Sequence, residues 1–61
     1  MAKWLIEELG GAFDVTRDGR AFVYDCQDIE EARAKIKKSP KYEKGDTIFI
    51  QSEDGYREKL R

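Results

Sequence analysis

Among the 61 residues there is no histidine, and cysteine occurs once, at Cys26. The commonest general base near neutral pH and the commonest metal ligand are therefore missing, and one thiol cannot complete a zinc set within a single chain. Cys26 shares the parity of Phe22 and Tyr24, which places it at the edge of a core as a small hydrophobe. A catalytic thiol needs a base beside it, and the sequence offers none there. Carboxylates are plentiful, and Glu7 can face Asp14 across a hairpin. Acid/base work by such a pair requires a pocket that separates two pKa values, and a sheet face in so short a chain has little concavity. The spacing Asp14 to Asp18-Gly19 lacks the alternating oxygen ligands and closing Glu of a calcium loop, and Gly10-Gly11 lacks the pattern of a phosphate-binding turn. The expectation is a chain that binds without catalysing and that needs neither cofactor nor metal.

One cluster has a functional reading: Lys35, Lys37, Lys38, Lys41 and Lys44, preceded by Arg33 and interrupted by Ser39 and Tyr42. Cations on a helix end and the loop after it can neutralise phosphates, and Tyr42 could stack on a base. A structural reading competes with it. Acids at Asp28, Glu30 and Glu31 followed by bases at Lys35, Lys37 and Lys38 are what the helix macrodipole favours, and Glu31–Lys35 is a well-oriented i, i+4 pair.

The elements that hold these residues are constrained by length. A chain of this size forms one domain, 1–61, and removes only about 60% of its unfolded surface from water. With 41% charged residues but 39% hydrophobic and 11% aromatic, it has enough apolar matter for a core. No apolar run approaches the roughly 20 residues of a membrane span, and a lone cysteine suits a reducing, cytoplasmic setting. The net charge of −1 hides a division: residues 1–31 carry −5, residues 32–44 carry +5 and residues 45–61 carry −1. A partner would meet one basic patch on an otherwise acidic body.

Two turn signals set the register of the first half. Asp18-Gly19, read as a type I′ loop, pairs Arg17 with Arg20, Val15 with Phe22 and Phe13 with Tyr24. Gly10-Gly11 read the same way pairs Glu8 with Phe13, Ile6 with Val15 and Trp4 with Arg17. Both put Trp4, Ile6, Phe13, Val15, Phe22 and Tyr24 on one face, which predicts strands near 3–9, 12–17 and 20–26. A rival reading coils residues 2–9 into a helix stopped by Gly10, with Leu5 and Leu9 at i, i+4. After Cys26 the period changes to 3.6: Asp28 and Glu31 make a capping-box variant, and Ile29, Ala32, Arg33 and Ile36 line one side of a helix over about 29–38, closed by Ser39-Pro40. Strands follow near 47–51 and 56–60, joined at Asp54-Gly55. The fold class is therefore α+β, a mostly antiparallel sheet in the order β-β-β-α-β-β with one helix packed on one face.

The opposite face of that sheet would carry Leu5, Leu9, Ala21, Val23 and Phe49, with Tyr56 and Leu60 if the last hairpin has a two-residue loop. An apolar patch there marks a contact surface, although scattered surface apolars covered by Lys and Arg stems are also normal. The candidate protein-interaction face is Leu5, Val23, Phe49, Tyr56 and Leu60; the alternative is a nucleic-acid patch of Lys35, Lys37, Lys38, Lys41, Tyr42 and Lys44. A meander carrying Asp18-Gly19 and followed by the helix at Glu30 to Ala34 resembles the arm-binding domains of tyrosine recombinases and a family of plant DNA-binding regulators. Those families read the major groove from the uncovered sheet face. Here that face would carry Glu7, Asp14, Leu5, Thr16, Ala21 and Val23, so the resemblance stops at the contacting positions. The expected function is a small non-enzymatic interaction or regulatory domain, self-associating or bound to a protein partner, of the kind found among accessory proteins of phages and mobile elements. Weak nucleic-acid binding is the alternative.

Overall fold

The computed structural model describes residues 1–60. Three strands come first, β1 (Lys3–Leu9), β2 (Ala12–Arg17) and β3 (Arg20–Cys26); then α1 (Ile29–Lys38), β4 (Thr47–Gln51) and β5 (Arg57–Lys59). They build one mixed sheet in the order β3-β2-β1-β4-β5, antiparallel except for the central β1–β4 pair. This is an α+β fold, with the strand–helix alternation that the sequence predicts. Residues 3–9 are a strand, so the helical alternative for them is overturned. Sequence left the strand order open, and the chain resolves it by crossover: α1 carries the chain from β3 over β2 and β1 to insert β4 on the far side of β1.

Both short turns have the positive φ values of a type I′ bend, 58° and 84° at Gly10-Gly11 and 51° and 83° at Asp18-Gly19. The first hairpin keeps the expected register throughout, with Trp4 opposite Arg17, Ile6 opposite Val15 and Glu8 opposite Phe13. The second begins as expected, Arg17 opposite Arg20, and then departs. Val15 faces Val23 and Phe13 faces Cys26, not Phe22 and Tyr24, because β3 carries one extra residue in each of two places. At the second, Asp25 takes φ 62° and its N–H donates to Asp14 Oδ1 at 3.1 Å. A residue inserted into one strand resets the parity of everything after it. Tyr24, expected in the core, is 56% exposed, whereas Cys26, expected at the edge, is fully buried.

The helix begins where the sequence indicates. Asp28 Oδ1 accepts from the Glu31 N–H at 2.7 Å, and Glu31 reaches back to accept from the Gln27 N–H at 3.0 Å. It ends at Ser39, whose extended backbone (ψ 135°) suits the residue before a proline. Ala32 and Ile36 are fully buried against Trp4, Ile6, Val15, Cys26, Ile48 and Ile50, and Phe13, Phe22, Val23, Ile29, Tyr42 and Leu60 pack around that cluster. Trp4 lies at its centre. Phe22 meets the indole edge-on at 4.9 Å, Tyr42 lies tilted at 6.3 Å, and the Arg17 guanidinium stands 5.6 Å from the ring centroid.

The last hairpin corrects a second expectation. Its loop spans residues 52–56 and is closed by Ser52 N–H donating to Tyr56 C=O at 2.8 Å, so Phe49 faces Lys59. Leu60 then donates its N–H to Ile48 C=O and its side chain packs on the helix-covered core. With Val23 moved to the same side by the bulge, two residues expected on the open face belong to the other.

Candidate interaction surfaces

Among the described residues, α1 covers one face of the sheet and no helix covers the other. On the other, Leu5 lies between Thr16 on β2 and Phe49 on β4, and both large side chains are half-buried. Arg57 extends across this face with Nη2 donating to Gln51 Oε1 at 2.7 Å. Between Arg57, Lys3 and the Asp18-Gly19 turn lies a depression of about 270 Å³ whose floor includes Leu5, Thr16 and Phe49. The Asp18 carboxylate is already engaged, accepting from the Lys3 N–H at 2.9 Å. Of the five residues assigned to an interaction face, the structure therefore brings Leu5 and Phe49 together. Tyr56 is 65% exposed in the β4–β5 loop, and Val23 and Leu60 turn to the core side.

The basic segment divides in two. Lys35 pairs with Glu31 at 3.4 Å and Arg33 stands 4.0 Å from Glu30, so these two cations are matched on the helix itself. Lys37, Lys38, Lys41 and Lys44 are exposed and, among the described residues, make no ion pair. Tyr42 does not share their exposure: it is half-buried against Trp4. The lysines are thus presented to solvent while the aromatic ring meant to accompany them is committed to packing.

A second groove, of about 380 Å³, runs between β3 and the end of α1. Phe22, Val23 and Pro40 form its apolar floor, and Lys35 and Lys38 form its rim. Sequence reasoning missed it because the groove depends on the bulge that turns Val23 and Phe22 toward the same side.

Two ionisable groups among the described residues, Cys26 and Asp46, are buried. Burial pushes the Cys26 thiol pKa up, and the neighbouring Glu31 carboxylate adds to the effect, so the thiol stays protonated at neutral pH. Asp46 had no signal in the sequence beyond its place in a turn, yet it is only 3% exposed. Its Oδ2 accepts from the Trp4 indole N–H at 2.9 Å and the Glu43 N–H at 3.0 Å, while Oδ1 accepts from the Ala2 N–H at 2.8 Å. These donors, the indole foremost, hold its pKa down at about 2. Glu7 and Asp14 do face each other, but Asp14 is occupied with the β3 bulge. Among the described residues no group of three acids or thiols could hold a metal ion, and no helix is long and apolar enough to cross a membrane. No protein-family model matches the chain, and neither a curated protein nor a solved structure is detectably similar to it.

Proposed function

We propose that this chain is a small non-enzymatic interaction module that meets a protein partner through the open face of its sheet. The observation that carries this reading is the juxtaposition of Leu5 and Phe49 beneath Lys3 and Arg57, an apolar floor with two cationic walls. A partner loop presenting an apolar side chain beside a carboxylate suits that floor and those walls. The setting that accords with one reduced, buried cysteine is the cytoplasm. Size and charge accord with an accessory protein of a phage or mobile element.

Affinity capture from a lysate with the wild-type chain and with a Leu5→Lys/Phe49→Lys variant tests the proposal, with circular dichroism as the check that both fold. A protein retained by the first and lost by the second supports it. Equal capture by both, or none by either, overturns it.

A second reading rests on Lys37, Lys38, Lys41 and Lys44, which lack ion-pair partners among the described residues. Together with Lys35 they could bind nucleic acid weakly by releasing counterions, with an affinity that falls steeply as salt rises. A gel shift at low salt that disappears in a Lys37→Glu/Lys38→Glu/Lys41→Glu variant supports it, and the absence of any shift ends it. The inward packing of Tyr42 removes the stacking contribution from this reading.

A further inference from the structure

The β3–α1 side of the molecule is electrically polar along its length. β3 runs from Arg20 to Cys26 and α1 returns in the opposite sense, its C-terminal half lying beside Phe22 and Val23. One end of this side therefore holds Asp25 and Asp28 and the other Arg20, Lys38 and Lys41, while Glu31 and Lys35 pair with each other between them. β3 is an edge strand with no neighbour beyond it among the described residues. Between the charged ends stand the 56% exposed Tyr24 and, close by, the apolar groove floored by Phe22, Val23 and Pro40.

A surface that is acidic at one end and basic at the other complements itself when a second copy is turned end for end. A two-fold axis across the edge strand performs that operation, and an isologous contact brings each patch against its opposite twice. We propose that two copies of this chain associate about such an axis at the β3 edge. Tyr24 of each copy enters the Phe22–Val23–Pro40 groove of the other, and the Asp25 end of each meets the other's Lys38 end. This inference rests on the reading of the chain as an interaction module but uses a different surface, leaving Leu5 and Phe49 free. The two bulges of β3 prevent an uninterrupted ladder between the copies, so the contact is made mainly by side chains and is reversible. A standard interface takes about 800 Å² from each partner, which is about a fifth of the 4259 Å² this chain exposes.

Light scattering on a size-exclusion column, run from about 10 μM to about 1 mM protein, gives the mass. The expected result is a rise from monomer to dimer with concentration, with the transition displaced at least tenfold to higher concentration when salt is raised from about 50 to about 500 mM. Tyr24 and Lys38 are exposed, so Tyr24→Ser and Lys38→Glu leave the fold intact, and each moves the transition at least tenfold in the same direction. Amide NMR shifts on dilution should be confined to residues 20–26 and 35–41. A strict monomer at the highest concentration and lowest salt overturns the proposal. So does a dimer that survives both substitutions but is lost in Phe49→Lys, a result that would move self-association to the open sheet face. Failure of the lysate capture while this dimer persists would overturn the partner-binding reading alone.

Discussion

Asp46 shows how much one side chain can determine in a chain this small. Both carboxylate oxygens are used, and the donors they bind come from the segment before β1, from the central tryptophan and from the loop before β4. Its pKa of about 2 lies below the ordinary value of 3.8, so the folded state favours the ionised form. The stability this confers is fully present above about pH 4 and is lost as pH falls toward 2. Urea denaturation followed by Trp4 fluorescence should give a midpoint that drops between pH 4 and pH 2, and Asp46→Ala should lower the midpoint at pH 7 while flattening that drop. Trp4 itself is fully buried. Trp4→Ala should cost about 3–5 kcal/mol, most of the roughly 3–9 kcal/mol expected for a domain of this length, and leave a chain without cooperative unfolding by circular dichroism.

Elements were legible where their determinants are local. Gly10-Gly11 and Asp18-Gly19 form the type I′ bends expected of them, and Asp28 three residues before Glu31 marks a helix start; all three stand where the sequence puts them. Removing the cap side chain with Asp28→Ala should cost about 1 kcal/mol, measured by thermal or chemical denaturation. The bulges of β3 were not legible, because nothing near Phe22 or Tyr24 announces an extra residue. What favours them is tertiary: they bring Cys26 into the core and turn Tyr24 out of it. Asp25 tolerates the left-handed backbone that the second bulge needs, and a β-branched residue there does not. Asp25→Val should therefore destabilise the fold by about 1–2 kcal/mol, visible as a lower melting temperature. The last loop misled for the opposite reason: Asp54-Gly55 is a genuine turn signal, but the loop is longer than two residues, and a shift of one position carries Leu60 from the open face to the core. The candidate interaction face was accordingly readable only at Leu5 and Phe49, which sit on the two strands whose register holds no irregularity.

For the whole molecule, the decisive pairing is the least local one. β1 is the middle strand, and its parallel partner β4 arrives some forty residues later along the chain. A chain ending at Lys44 would keep both hairpin turns and the helix yet lose Asp46 and two of the five strands, β4 and β5, and should give an NMR spectrum without amide dispersion. Long-range order of this kind has a practical corollary for the indole N–H. Held by a buried carboxylate beneath Phe22 and Tyr42, that proton is shielded from water until β1, β4 and the intervening loop come apart together. Its replacement by deuterium should therefore require β1 and β4 to separate, and the decay of that one resonance, followed by NMR, should track the stability measured by urea denaturation.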